Sequence, residues 1–214
     1  MRFGPPRAVL FDWDGTLLDS AEASYRCYER LFSSFGIPFD QARFQATYAP
    51  DWYRTYSAVE LPVECWPEAD RLWLDLYASE KCALLPGAAE ALGRLRDAGV
   101  LTGLVTSGSR LRVLSELDVL LVRDFFQTVV VSEDVSEKKP HPEALLIALE
   151  LLDLSSAEAA YVGDSPEDVK MARAAGVYCV GIAGGFPNRE ALAASAPDLF
   201  ESDLAAAVEA LLRR

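Results

Sequence analysis

The chain has 214 residues, of which 33 are acidic and 20 basic, so its formal net charge is −13. Such an acidic chain is repelled by DNA, RNA and anionic membrane surfaces, and we expect neither as a partner. A small anionic substrate stays possible, because a metal ion or a local basic group can reverse the sign inside one pocket. Since 51% of the residues are apolar, we expect a folded chain of one domain, or one domain with an insert.

Cysteine and histidine usage predicts a reduced protein without a zinc site. The four cysteines are scattered at positions 27, 65, 82 and 179, and His141 is the only histidine, so the ligands of a zinc site are missing. The segment from Met1 to Arg7 is too short and too rich in Pro and Gly for a targeting signal. No run approaches the roughly 18 apolar residues of a membrane span. We therefore expect a cytoplasmic protein, either a monomer or a homodimer.

Short apolar runs alternate with helical patterns along most of the chain. Such runs, partly β-branched and without polar alternation, are typical of strands buried on both faces. Helical patterns cover 86–97, 142–152 and 204–212, and another begins at Ser165 and ends at Gly176. The alternation predicts an α/β fold, a doubly wound parallel sheet of the Rossmann-like kind. The predicted strands are 8–11, 100–105, 128–131, 160–162 and 178–182.

One interval interrupts this alternation, since about 90 residues separate the first predicted strand from the second. A simple crossover needs far fewer residues. The interval is mostly helical in pattern and holds 13 of the 22 aromatic residues. We interpret residues 18–84 as an inserted helical cap, and residues 1–17 and 85–214 as the catalytic core. Most of the aromatic residues are expected to pack inside the cap.

Asp12 and Asp14 follow directly after the first predicted strand. In extended backbone, residues i and i+2 point to the same side, so both carboxylates can enter one pocket. Two carboxylates this close repel each other unless a cation lies between them. The alternative is an Asp-Gly hairpin turn, which requires a second strand after Gly15. Because Asp19 and Ser20 instead suggest a capped helix, we expect no strand there.

Two further segments at predicted strand ends carry groups that suit an anion. Thr106, Ser107 and Gly108 offer two hydroxyls and a glycine turn, which is the chemistry of a cradle for phosphate oxygens. Lys138 and Lys139 precede a proline and a predicted helix. Taken alone, the first segment is more often a capped turn and the second a solvated loop. Their importance comes from their position, because ligands of parallel sheets bind at the carboxyl ends of strands.

Asp164 and Asp168 follow the fourth predicted strand and open a helix. Alone they are equally well explained as helix-capping residues or as metal ligands. With the other segments they complete a set that contains carboxylates, hydroxyls and a lysine at one sheet edge. Hard oxygen ligands favour Mg²⁺, and the whole set suits phosphoryl transfer to a carboxylate.

The order of these motifs, DxDGT, Thr-Ser-Gly, Lys-Pro and GDxxxD, resembles the haloacid dehalogenase superfamily of phosphohydrolases, and most closely its phosphoglycolate phosphatase-like subgroup. The resemblance implies a phosphatase that uses Mg²⁺ to hydrolyse a small phosphorylated metabolite through an aspartyl-phosphate. It also implies a helical cap that sets substrate choice. A phosphosugar mutase of the same superfamily and a receiver-like signalling module are the alternatives. Thr16 and Asp14, respectively, make these alternatives less favoured.

The resemblance also implies a role for each motif residue. Asp12 would be the nucleophile and Asp14 the acid and base, while Thr106 and Ser107 would bind the phosphoryl oxygens. Lys139, rather than Lys138, would neutralise charge, because the family's lysine directly precedes the proline.

The same resemblance assigns the metal ligands. Asp12, the backbone carbonyl of Asp14 and Asp164 would hold Mg²⁺, with Asp168 as a further or water-mediated ligand. In the cap, Arg43 or Arg54 could bind a substrate carboxylate through its fork of N–H groups, although a surface arginine with a solvated or ion-paired head is the favoured interpretation of either one.

Overall fold

The computed structural model describes residues 5–214, so Met1 and the next three residues of the predicted non-targeting segment lie outside the described part. Six strands form a parallel sheet, and two short strands form a separate antiparallel pair. The described strands are β1 (Ala8–Phe11), β2 (Leu18–Asp19), β3 (Ala83–Leu84), β4 (Leu101–Val105), β5 (Thr128–Val130), β6 (Ala159–Gly163), β7 (Tyr178–Ile182) and β8 (Leu199–Glu201).

The order of the large sheet is β5-β4-β1-β6-β7-β8. The chain winds outward from β1 to β5 on one side and from β6 to β8 on the other, as a doubly wound sheet does. Phe11 lies beside Leu104 of β4 and Val162 of β6, so these three strands end at nearly the same level. The predicted α/β fold class is confirmed, and the switch in winding direction falls at β1.

Helices connect the parallel strands and cover the sheet. Apolar residues from several of them join the buried core that surrounds β1 and β6. The described α-helices are α1 (Ala21–Ser34), α2 (Gln41–Thr47), α3 (Trp52–Ala58), α4 (Trp66–Tyr77), α5 (Ala88–Asp97), α6 (Arg110–Val119), α7 (Glu143–Leu151), α8 (Pro166–Ala175), α9 (Arg189–Ala194) and α10 (Leu204–Leu212). None of the helices within residues 5–214 is long and apolar enough to cross a membrane.

The start and end of α8 follow the sequence signals. The hydroxyl of Ser165 accepts a hydrogen bond from the Asp168 N–H, and the Asp168 carboxylate accepts one from the Ser165 N–H. This reciprocal capping box satisfies two donors at the helix N-terminus. Gly176 ends the helix with φ of 70°, a left-handed conformation that glycine adopts without strain.

The structure corrects the expectation that no strand follows Gly15. Residues Leu18–Asp19 form β2, which pairs with β3 and not with β1. Gly15 has φ of 81°, and its N–H donates to the Leu18 carbonyl at 2.9 Å. The turn therefore folds the chain back toward Gly15 without making a hairpin on the first strand, a possibility that the sequence argument did not consider.

Other elements also differ from the sequence pattern, among them a strand and a helix start. Strand β8 has only three residues at the sheet edge, too short to be predicted from an apolar run. Helix α5 begins at Ala88 instead of Pro86, because Gly87 has φ of 80° and stands outside the helix.

The contacts divide the chain into two compact units. One contains residues 1–19 and 83–214 and carries the parallel sheet; the other, Ser20–Cys82, carries α1 to α4. The helical unit is built around aromatic rings, including a stacked pair of Tyr53 and Trp66 with centroids 4.8 Å apart. The assignment of the second unit as a cap stays a prediction.

Candidate active site

Three aligned strands deliver the first polar groups of the site. Asp12 follows β1, Thr106 follows β4 and Asp164 follows β6. The Asp12 N–H donates to the Val162 carbonyl at 2.9 Å, which extends the sheet bonding past the end of β1. Sequence-distant carboxylates are thereby brought to one sheet edge at the point where the winding direction changes, which is where open α/β sheets bind ligands.

Lys139 is the cation of this site, and it is almost completely buried. Its Nζ lies 2.6 Å from Asp12 Oδ1, 2.8 Å from Asp168 Oδ1 and 2.8 Å from the Tyr161 hydroxyl. An ammonium group has three N–H donors, so these three acceptors use them all. The peptide bond between Lys139 and Pro140 is cis. Lys139 is therefore the lysine that lies in the cluster, whereas Lys138 is exposed. The role of Lys139 stays a prediction.

Tyr161 is a member of the site that the sequence argument missed. It lies within β6, is 0% exposed, and its hydroxyl contacts Asp168 Oδ1 at 2.9 Å and the Val105 carbonyl at 3.2 Å. A tyrosine in an apolar strand is ordinarily assigned to the core. The only available signal was that a buried phenol needs a hydrogen-bond partner.

Asp168 is held by groups of the protein on both carboxylate oxygens. Its Oδ1 contacts Lys139 and Tyr161, and its Oδ2 accepts from the Ser165 hydroxyl at 2.7 Å and the Ser165 N–H at 3.1 Å. Because four donors already surround this carboxylate, it is well placed to fix Lys139. The predicted role as a further or water-mediated metal ligand stays a prediction.

Burial and the neighbouring negative charges disfavour the ionised form of two carboxylates in the cluster. Burial is the main reason that the pKa of Asp12 rises to about 7; Lys139 opposes the rise, while Asp168 and Asp14 add to it. Burial, followed by the charges of Asp12 and Asp168, raises the pKa of Asp164 well above its usual value. Burial alone would lower the pKa of Lys139, but Asp12 and Asp168 outweigh it and raise that pKa. The cluster therefore holds more negative charge than its one lysine neutralises.

The carboxylates fit a divalent cation. Asp12, Asp164 and Asp168 each offer an oxygen, and these oxygens lie within 4.8 Å of one another. Within residues 5–214, Asp164 Oδ2 is buried and has no hydrogen-bond partner. A buried carboxylate oxygen without a hydrogen-bond partner reduces the stability of the fold unless a ligand binds it. Hard carboxylate oxygens are what Mg²⁺ prefers, so the donor set suits that ion.

Two glycines make room around the Asp164 carboxylate. A Cβ atom placed on Gly15 or on Gly184 would lie 2.3 Å from Asp164 Oδ2, a severe overlap. Only glycine fits at either position with this carboxylate in place. The Gly184-Gly185-Phe186 turn after β7 therefore forms part of the wall of the site.

Asp14 lies in a second network on the same unit. Its Oδ1 and Oδ2 accept from the two terminal nitrogens of Arg112 at 3.0 and 2.5 Å. Arg112 also contacts Glu116, which accepts from the Trp13 indole N–H at 2.7 Å. Sequence reasoning did not find Arg112 or Glu116, because an arginine and a glutamate four residues apart on a helix are usually a surface ion pair.

The segment after β4 is ordered by its own hydroxyl. Thr106 is buried, and its Oγ1 accepts from the Gly108 N–H at 3.0 Å. The Gly108 carbonyl accepts from the Ser132 N–H at 3.1 Å. These bonds fix the turn that contains Ser107, at the carboxyl end of β4. The predicted phosphate cradle would lie there.

Arg43 and Arg54 belong to the helical unit. The Arg43 guanidinium donates to the Pro38 carbonyl at 2.7 Å, and its backbone N–H donates to the Asp40 side chain that caps α2. Arg54 is exposed on α3. The substrate contact predicted for either residue is not tested by this geometry and stays a prediction.

Comparison with known proteins identifies the family. A model of the haloacid dehalogenase-like hydrolases matches residues 9–182. A phosphoglycolate phosphatase of Pseudomonas putida is 31% identical, and the match covers 94% of this chain and 78% of that protein. The chain belongs to the haloacid dehalogenase-like hydrolase family. Within it, the chain is a phosphoglycolate phosphatase-like hydrolase and an enzyme of the phosphatase kind, as the resemblance of its motifs implied.

Solved structures agree with this assignment at the level of the fold. The crystal structure of a predicted phosphoglycolate phosphatase from Haemophilus somnus 129PT has a TM-score of 0.86 at 21% identity, covering 98% of this chain and 99% of that one. The structure of CbbY from Rhodobacter sphaeroides in complex with phosphate has a TM-score of 0.76 at 25% identity, covering 94% and 95%.

Proposed function

We propose that this enzyme hydrolyses a small phosphate monoester through an aspartyl-phosphate formed on Asp12. The observation that carries the proposal is the buried Asp12 carboxylate bound by Lys139, beside an Asp164 oxygen without a partner among residues 5–214. A carboxylate held by a fixed ammonium group is oriented for attack, and the unpartnered oxygen matches a site for a cation.

In the first step, an Asp12 oxygen attacks phosphorus and the bond from phosphorus to the leaving oxygen breaks. Asp14 gives a proton to that leaving oxygen, so the product departs as an alcohol. In the second step, Asp14 takes a proton from water as the water oxygen attacks phosphorus. The bond between phosphorus and Asp12 then breaks, which releases inorganic phosphate and restores the carboxylate.

The remaining residues bind and neutralise the phosphoryl group. We assign Thr106, Ser107 and Gly108 to its oxygens, since their turn is ordered at the end of β4. Lys139 stabilises negative charge next to the nucleophile, and Asp168 with Tyr161 holds the lysine in place. Charge stabilisation by groups that are already oriented is the main means by which such sites lower the barrier.

Mg²⁺ is the proposed cofactor, held by Asp12, Asp164 and the Asp14 carbonyl with Asp168 close by. When bound, it would neutralise the carboxylates and the phosphate oxygens. The three carboxylates of the cluster outnumber its one lysine, so without a further cation they would repel a phosphate. A bound cation would offset this repulsion.

The substrate class is a small phosphorylated metabolite, and phosphoglycolate is the first candidate because the curated relative bears that name. Arg43 or Arg54 would then bind the substrate carboxylate through its guanidinium fork. We place the reaction in the cytoplasm, which suits four cysteines that form no disulfide. Whether the enzyme works as a monomer or a homodimer belongs to the same proposal.

The test is the release of phosphate from 4-nitrophenyl phosphate and 2-phosphoglycolate by purified enzyme with Mg²⁺. We expect turnover that EDTA stops, and a loss of at least about 10³-fold in Asp12→Asn, because the amide is a poor nucleophile. Asp19→Asn, an exposed position on β2, is the matched control. Full activity of Asp12→Asn with the metal removed would overturn the proposal, and a phosphorylated enzyme that persists for minutes would favour a signalling role.

A further inference from the structure

Arg112 and Asp14 form an ion pair outside the Lys139 cluster, and its geometry is that of a fork. Two guanidinium nitrogens contact the two oxygens of one carboxylate, at 2.5 and 3.0 Å. The pair joins residues 98 positions apart in the chain. A bidentate contact fixes the plane of a carboxylate, which a single point charge does not do.

The fork is itself anchored and mostly shielded from water. The side chains of Arg112 and Glu116 are 12% and 17% exposed, far less than surface ion pairs usually are. Arg112 contacts Glu116 at 3.2 Å, and Glu116 accepts from the indole of the fully buried Trp13 at 2.7 Å. The network therefore starts at Trp13 and returns to its neighbour Asp14, so it braces the short loop after β1 against α6.

Gly108 leaves the space that the guanidinium occupies. A Cβ atom on Gly108 would lie 2.4 Å from a terminal nitrogen of Arg112 and 2.6 Å from a methyl carbon of Val113. Any larger residue at this position would push Arg112 away from Asp14. Gly108 thus has a steric role toward Arg112 besides the phosphate contact proposed for its turn.

We propose that Arg112 is a positioning residue, which orients the Asp14 carboxylate for the two proton transfers. The inference rests on the proposed function, because it gives Asp14 its role as acid and base. Asp14 retains 26% exposure, and a carboxylate has about four lone-pair sites, so a proton can reach an Asp14 oxygen while Arg112 holds the carboxylate plane. Small displacements of a group that transfers protons are costly, since about 1 Å of misplacement can lower a rate about 10²-fold.

The experiment compares Arg112→Met with wild-type enzyme and Mg²⁺, using 2-phosphoglycolate and 4-nitrophenyl phosphate. We expect kcat for 2-phosphoglycolate to fall about 10- to 100-fold, with KM changed less than about threefold, because orientation and not binding is lost. Nitrophenolate leaves without a proton, so only the hydrolysis of the aspartyl-phosphate is slowed for the second substrate. A burst of about one nitrophenolate per enzyme should therefore appear.

A double-mutant cycle separates positioning from a merely structural role. In an Asp14→Asn background, Arg112→Met should cause less than a twofold further loss, because the group it positions is gone. Arg112→Lys, which keeps the charge without the fork, should restore only part of the rate. Glu116→Gln, which loosens the anchor of Arg112, should cost about threefold and provides a second variant if Arg112→Met folds poorly.

Arg110→Met is the matched control, since it removes one positive charge from the same helix. The Arg110 side chain pairs with Asp134 and not with Asp14, so kcat should stay within about twofold of wild type. Wild-type kcat in Arg112→Met, an equal loss in both backgrounds, or a raised KM with unchanged kcat would each overturn the inference. If wild-type enzyme releases no phosphate, the proposed function fails first and this inference falls with it.

Discussion

The two units surround their acidic groups with different kinds of partner. In the α/β unit, Asp12, Asp164 and Asp168 lie together, and burial raises the pKa of Asp12 and Asp164. One lysine, Lys139, contacts Asp12 and Asp168. In the helical unit, Asp70 accepts from the Trp52 indole and the Tyr53 hydroxyl, both at 2.9 Å. Asp70 is thus bonded to neutral donors, whereas each carboxylate of the α/β cluster lies next to two others.

This difference in partners indicates which unit carries the functional site. A carboxylate that accepts bonds from neutral aromatic donors stabilises its surroundings and needs nothing from outside. A cluster with surplus negative charge reduces stability and is retained only where a ligand offsets it. This contrast supports our placing of the proposed cation and phosphate site in the α/β unit, and it gives Asp70 a structural role in the helical unit.

The largest expected effect comes from removing the one cation of the charged cluster. Lys139→Met should lower kcat by about 10²–10³-fold, since a fixed charge next to the reacting group is lost. It should also reduce the free energy of unfolding by about 3–5 kcal/mol, because Asp12 and Asp168 lose a buried partner. Steady-state kinetics and urea unfolding measure the two effects.

Lys138→Met is the control for that variant, because Lys138 is the adjacent residue and is exposed. Its kcat and unfolding midpoint should stay close to those of wild type. Equal losses in the two variants would show that the buried position of Lys139 is unimportant, and the contrast between the units would fail.

The next effect tests the surplus charge itself. Without Mg²⁺, Asp164→Asn should raise Tm at pH 8 by about 3–8 °C, or about 1–3 kcal/mol, because a buried carboxylate with a raised pKa becomes neutral. A carboxyl whose folded pKa exceeds its unfolded value destabilises the fold as pH rises from the unfolded pKa toward the folded one. The gain should therefore shrink at pH 5.

Mg²⁺ should reverse the order of the two Tm values, so that wild type melts at a higher temperature than Asp164→Asn. It stabilises wild type by mass action, whereas Asp164→Asn lacks a ligand and should respond little. Differential scanning calorimetry with EDTA and with Mg²⁺ at both pH values measures this. A wild-type Tm that does not change with Mg²⁺, or a variant that responds equally, contradicts the assignment of Asp164 to a cation site.

The sequence located the segments that the fold brings to the candidate site, while the roles of their residues stay predictions. Asp12, Asp14, Lys139, Asp164 and Asp168 occupy short segments whose order and neighbours are informative, and the parallel sheet brings their strand ends together. The five predicted strands of the sheet were likewise visible as mostly apolar runs, because strands buried on both faces carry few polar residues.

Groups that depend on side-chain packing across the sequence could not be predicted. Tyr161 lies inside an apolar strand, and Arg112 lies on a helix beside an ordinary i, i+4 partner, so neither has a local signal. The pairing of β2 with β3 depends on contacts about 65 residues apart in sequence. Short strands of two residues have no periodicity to detect, so only the folded chain shows them.

The smallest effect is expected in the helical unit. Asp70→Asn should lower the free energy of unfolding by about 1–3 kcal/mol, because the new amide cannot accept from both Trp52 and Tyr53 as a carboxylate does. Asp75→Asn, an exposed change on the same helix, should have almost no effect. Since Asp70 has neutral donors, Mg²⁺ should shift the Tm of Asp70→Asn as much as that of wild type. A Mg²⁺ response lost in Asp70→Asn would mean that the helical unit shares the cation site, and the contrast drawn between the two units would be wrong.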